Sequence, residues 1–195
     1  MLESLLKAGI LIHAARKIPY HVAVTWRKSK EGWYKLNTDG ALKECGQAAR
    51  GGVIRNQLGK ISWGFYDFYG TCSILEAELK AVATGLRLCW QKNINKVWVE
   101  VDSKAAMLLC IQQDKGPWEV QYILESIHQS VNKMETQFSH IWREGNKVAD
   151  WFANRGYNEK CFKMLQGSEL QGVVRGLIRM DKMSMASIRL VERMT

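Results

Sequence analysis

The sequence predicts an α/β fold: a five-stranded mixed sheet, its first three strands antiparallel, flanked by helices. Three observations predict it. Three short runs rich in β-branched and aromatic residues follow one another from Trp33 to Asp67, separated by turns that contain glycine. Two further runs of this kind then alternate with apolar stripes at helical spacing. With 47% apolar residues in a chain of 195, there is enough material for a sizeable core.

Trp33 to Ala41, WYKLNTDGA, reads as a strand running into a turn. Arg50 to Asn56 is the second strand, Gln57 to Lys60 the turn, and Lys60 to Asp67 the third. The short connections make these an antiparallel meander. A helix follows from Ser73 to Gln91, because Leu75, Leu79, Val82, Leu86 and Cys89 recur at steps of four and three. Lys96 to Val101, KVWVEV, is short and β-branched, so it is the fourth strand. Ser103 can cap the next helix, Lys104 to Gln112. Pro117 opens another, with Val120, Ile123, Leu124, Ile127 and Val131 on one side. Phe138 to Arg143 is the fifth strand. Asn146 begins a last helix that runs to Arg155 and is closed by Gly156.

The chain divides into a basic extension or linker at 1–30, the folded domain at 31–157, and a basic, methionine-rich tail at 158–195. The formal net charge of +9 sits at the ends. Residues 1–30 hold six Lys/Arg against one Glu, and residues 160–195 hold seven against three Asp/Glu. The segment between them holds fifteen of each. A neutral centre with basic arms suits a phosphate-bearing partner, although basic flanks are also ordinary solvated tails. The N-terminal extension is expected to contain a short helix at most. The C-terminal one reads as a loosely ordered tail, with a basic amphipathic helix as the alternative.

The five cysteines form no CxxC pair and their number is odd, which argues against a disulfide framework and for a reducing, intracellular compartment, nuclear or cytoplasmic. Organelle targeting is left open. The apolar run Ala8 to Ala15 is too short to span a bilayer, so no membrane partner is expected. The histidines lack zinc spacing. Gly51 and Gly52 are not followed by a GK[ST] phosphate loop.

Four acids lie at the ends of predicted elements: Asp39 in NTDG, Glu78 in EAEL, Asp102 in VEVDS and Asp150 in NKVADWFAN. Each alone has an ordinary explanation as a turn or first-turn residue. Gathered above one sheet edge they would repel strongly, and a compact cation would cancel that repulsion. Helix geometry selects Glu78 over Glu76. Glu76 faces Lys80 at i+4, whereas Glu78 shares an edge with Leu75 and Val82 of the core stripe.

NTDGA, AEL, VEVDS and REGNKVADWFAN, in this order, resemble the landmarks of the ribonuclease H type 1 family. EGWYKLNTDGA and ADWFAN are similar to its plant branch derived from non-LTR retroelement reverse transcriptases. The resemblance covers about two-thirds of the chain and implies a ribonuclease H-like fold. It implies an endoribonuclease that hydrolyses the RNA strand of RNA–DNA hybrids, using two Mg²⁺ or Mn²⁺ ions held by Asp39, Glu78, Asp102 and Asp150. Asp39 is then the bridging ligand. It further implies hybrid contacts at Gly40, Ala41, Ser73, Arg143, Asn146 and Lys147, and a monomer. Gly40 would let backbone approach the 2′-hydroxyls.

Departures from the family pattern are also visible. Gln91 to Asn95 leads straight into the next strand, with no basic protrusion. The loop Arg143-Glu144-Gly145-Asn146 holds no histidine, and Cys72, Ser73 and Ile74 stand where paired asparagines are common. The second reading is therefore a weak or inactive domain that binds nucleic acid without cutting it.

Overall fold

The fold is that of a computed structural model, which describes residues 17–43, 45–112 and 116–194. The expected short helix near Ala8 to Ala15 lies outside the described residues. The strands are β1 (Lys17–Val24), β2 (Tyr34–Leu42), β3 (Gln47–Arg55), β4 (Ile61–Thr71), β5 (Lys96–Val101), β6 (Glu135–His140), β7 (Lys163–Gln166) and β8 (Ser187–Met194). The helices are α1 (Ile74–Gln91), α2 (Lys104–Ile111), α3 (Gln121–Val131), α4 (Lys147–Glu159) and α5 (Val173–Lys182). Two compact units result. Val24–Ser187 forms the larger. In the smaller, β1 and β8 pair as a two-stranded sheet.

The larger unit is built on a mixed sheet in the order β6-β5-β2-β3-β4-β7. The meander is as expected: β2, β3 and β4 are antiparallel neighbours. β5 and β6 then add in parallel beside β2, reached by helical crossovers. The sheet has six strands where five were expected. The sixth, β7, pairs antiparallel with β4 through Trp63 to Tyr66. It comes from the segment read as a loosely ordered tail, and α5 also folds from that segment. A four-residue edge strand carries too little alternation to stand out in sequence.

Each face of the sheet buries its own core. Leu36, Ile54, Phe65, Val97 and Val99 meet Leu79, Val82, Leu86 and Cys89 of α1 on one face. Val53, Ile61 and Tyr66 meet Val148 and Phe152 of α4 on the other, together with Leu170 and Val174. Full burial of one such Leu, Ile or Phe stabilises by about 1.5–3 kcal/mol.

The stripe that predicted α1 is the buried one, and Ser73 begins the helix with a capping box. The Ser73 hydroxyl accepts from the Glu76 N–H, and the Glu76 carboxylate accepts from the Ser73 N–H. The last helix differs from expectation. Gly156 does not close it; α4 continues to Glu159 and ends on Lys160 in the left-handed region. Gly156 is instead a contact point, because a Cβ there would stand 2.6 Å from the Asp67 carbonyl oxygen of β4. The fifth strand also begins and ends earlier than read, and Arg143 to Gly145 form a 3-10 turn.

Behind β2 lies a buried polar network that hydrophobic patterning did not signal. Lys35 pairs with Glu100 at 2.8 Å and sits 3.8 Å from the centre of the Trp98 ring. The Asn37 amide donates to Glu100, and the Trp26 indole donates to Asn37. Arg55, in β3, pairs with Asp181 of α5 at 2.7 Å and packs over Trp26. Burial lowers the pKa of both Lys35 and Arg55, against the pull of their acidic partners. Trp26 belongs to the segment read as a linker, yet it is 2% exposed.

Candidate metal centre

β5 stops pairing with β2 at Val101, opposite Thr38. Beyond that level β2 runs on to Leu42 with no partner on its β5 side. Asp39 is the first residue past the last pair, and Asp102 is the first residue after β5. The opening lets carboxylates from different layers meet.

Glu78 reaches the same place from α1. Gly40 makes this possible, since a Cβ there would stand 2.7 Å from the Glu78 nitrogen. Without a side chain, β2 lets the start of α1 lie directly against it. Asp39, Glu78 and Asp102 each offer an oxygen, and these oxygens all lie within 4.8 Å of one another. Asp39 and Glu78 are buried, and Asp102 is partly so.

The electrostatics match that crowding. Burial pushes the Asp39 and Glu78 carboxyls well above the usual carboxylate range, and their acidic neighbours add to the shift. Asp102 is raised as well, first by burial, while Arg143 and Asn146 pull it back. Three buried oxygens, Oδ2 of Asp39, Oε2 of Glu78 and Oδ1 of Asp102, have no hydrogen-bond partner. Buried oxygens without donors cost free energy, and a hard divalent cation takes oxygen ligands of this type. The residues present therefore fit such a cation.

Asp150 stands beside this trio rather than within it. Its carboxylate accepts from Arg143 at 3.1 Å, and it is close enough for its charge to raise Asp39. It lies in the first turn of α4. That pair raises the Arg143 pKa in turn.

The residues expected at a hybrid surface fall into two groups. Arg143 and Lys147 are exposed, although the Lys147 ammonium donates to the Ser187 hydroxyl. Ser73 is exposed and engaged in its cap. Gly40, Ala41 and Asn146 are buried. The Asn146 amide donates to the Thr38 carbonyl at 2.9 Å, which ties the start of α4 to β2 just before Asp39. Sequence reasoning missed that tie, because a residue before a helix looks like a cap whatever it touches. His140, at the end of β6, contacts the Asp102 carbonyl at 3.0 Å through its ring.

A mixed sheet with its acids gathered where the parallel pair ends defines the class: an α/β domain of the ribonuclease H-like kind. Residues 37–156 match the family described as reverse transcriptase-like. The chain belongs to that family and carries a ribonuclease H domain. An Arabidopsis thaliana protein that carries a ribonuclease H name is 32% identical over 137 residues, 69% of this chain. The chain spans 22% of that protein's length. Among solved structures, ribonuclease H1 of Halobacterium salinarum superposes with a TM-score of 0.61 at 21% identity, covering 65% of this chain and 98% of its own. A ribonuclease H1 isolated from compost, LC11, solved with an RNA/DNA hybrid, gives 0.58 at 23% identity, with 65% and 97% covered. These likenesses show the shared fold.

Proposed function

We propose that this domain hydrolyses the RNA strand of RNA–DNA hybrids, with Asp39, Glu78, Asp102 and Asp150 holding two Mg²⁺ or Mn²⁺ ions. The observation that carries this reading is the convergence of three carboxylates whose buried oxygens lack donors. When bound, the divalent ions supply Lewis acidity: a water of lowered pKa and charge stabilisation at the leaving 3′ oxygen. The chain's own residues do the rest. Asp39, in β2 beside Glu78 and Asp102, would hold the ions together with those two acids. Asp150, in the first turn of α4, would join them in holding the ions, and its partner Arg143 would be placed to meet substrate phosphate. In the reaction the water oxygen bonds to phosphorus and the bond to the 3′ oxygen breaks; of the water's two protons, one stays with the new 5′ phosphate and the other passes through solvent to the leaving 3′ oxygen.

RNA selectivity would come from 2′-hydroxyls in the minor groove. The backbone of β2 from Asp39 onward, unpaired on its β5 side, offers groups for that contact. A domain that binds hybrids without cutting them is the second reading, favoured by the engagement of Asp150 with Arg143. Gel-resolved cleavage of a labelled hybrid, wild type beside Asp39→Asn, decides. Magnesium-dependent cutting lost in the variant supports the nuclease; binding with no cutting in Mg²⁺ or Mn²⁺ supports the second reading.

A further inference from the structure

Away from the carboxylates, α5 and the turn into β4 enclose an open groove of about 420 Å³. Four of the residues that line it are basic: Lys60, Arg175, Arg179 and Lys182; the others, Ile61, Gly167, Ser168 and Ile178, are uncharged. The helix explains this asymmetry. Val174, Leu177, Ile178 and Asp181 recur at helical spacing and face inward, with Val174 fully buried. Arg175, Arg179 and Lys182 form the exposed stripe at i, i+4 and i+7. The one acid of α5, Asp181, is spent inside, on the buried Arg55. Four cations are left with no ion pair among the described residues.

We propose that this groove grips the phosphodiester backbone of a nucleic-acid duplex at a point remote from the carboxylates. The Cβ atoms of neighbouring stripe residues stand about 5–6 Å apart, and the long Arg and Lys side chains let their charges spread along a phosphate row. A row of charges in an open groove suits a linear polyanion better than a small enclosed ligand. Position also fits. Ile61 of the groove pairs with Arg55, which lies four residues along from Gly51, the residue opposite Asp39, so that wall of the groove is displaced by about 13 Å along the sheet. α4 spans the same face, and α5 packs against α4. The proposal rests on the reading of this domain as a hybrid binder and is independent of cleavage.

The test measures affinity for a hybrid of about 20 base pairs as a function of salt, in EDTA, for three proteins. These are wild type, the groove variant Arg175→Gln/Arg179→Gln/Lys182→Gln, and a control that removes the same charge elsewhere, Arg87→Gln/Lys92→Gln/Lys133→Gln. All substituted side chains are exposed, and thermal melts check that the fold is kept. The groove variant should bind more weakly, with a log–log salt slope shallower by about two to three, close to 0.9 per lost phosphate contact. The control should keep the wild-type slope. A groove variant indistinguishable from wild type or from the control overturns the proposal, as does wild type that fails to bind hybrid at all. Cleavage failing while the slopes differ would sink the nuclease reading and leave the groove standing.

Discussion

Asp39 and Glu78 place two carboxyls out of reach of water, with the half-buried Asp102 beside them, and Oδ2 of Asp39, Oε2 of Glu78 and Oδ1 of Asp102 find no donor. Left ionised and without a cation, they strain the fold. Asp39→Asn removes one charge from the cluster. We expect the variant to melt higher than wild type in EDTA at neutral pH, and to lose the rise in melting temperature that Mg²⁺ gives wild type. Hybrid cleavage should fall at least about 100-fold, the upper end of what changes around metal ligands cost. The pH dependence has a definite sign. The folded carboxyls titrate above their ordinary values, so within that window the native state holds more protons than the unfolded chain. Their contribution to stability is full at low pH and is lost as pH rises. The gap in melting temperature between Asp39→Asn and wild type in EDTA should therefore widen as pH rises above the ordinary carboxylate value of about 4. A constant gap would mean the cluster is not coupled.

The contact of α1 with β2 depends on a missing side chain. Gly40→Ala puts a methyl 2.7 Å from the Glu78 nitrogen and 2.9 Å from the Ala77 carbonyl carbon, and these two nearest atoms are backbone. The helix must shift. We expect a stability loss of about 1–3 kcal/mol, and cleavage down about 100-fold, since displacement of a reacting group by about 1 Å has that effect. Retention of full activity would show that Glu78 needs no fixed seat. Ser73→Ala should cost about 1 kcal/mol through its cap, read from chemical denaturation. Much of this was legible beforehand. Strands β2 to β5 and helix α1 follow from alternation and from the Leu75–Cys89 stripe, and the choice of Glu78 over Glu76 followed from the same stripe. What escaped sequence reasoning lacked periodicity. β7 is four residues long, Trp26 stands in a polar run, and the partner of Asn146 is 108 residues away. Gly156 was read as a helix terminator because glycine's absence of a side chain serves an end and a close approach equally well.

The larger unit reaches well beyond the matched family segment, which ends at residue 156. Deleting residues 158–195 would remove β7, expose the core shared with Leu165, Leu170 and Val174, and leave Arg55 buried without its acid. We expect that truncated protein to be insoluble or to melt far lower than the full chain. Asp181→Ala isolates the charge effect, at about 3–5 kcal/mol for breaking a buried pair, measurable as a shift in denaturation midpoint. A truncated chain that melts like the full one would confine the fold to the family segment. The Arg55–Asp181 bridge also has a consequence for synthesis. Its two ends are 126 positions apart in the chain. A nascent polypeptide carrying the whole meander still holds a guanidinium that cannot be put away in the interior. Closure of that side of the sheet must wait until the ribosome has made and released residue 181. Until then the emerging chain depends on chaperones, or on delay, to keep that surface from finding the wrong neighbour.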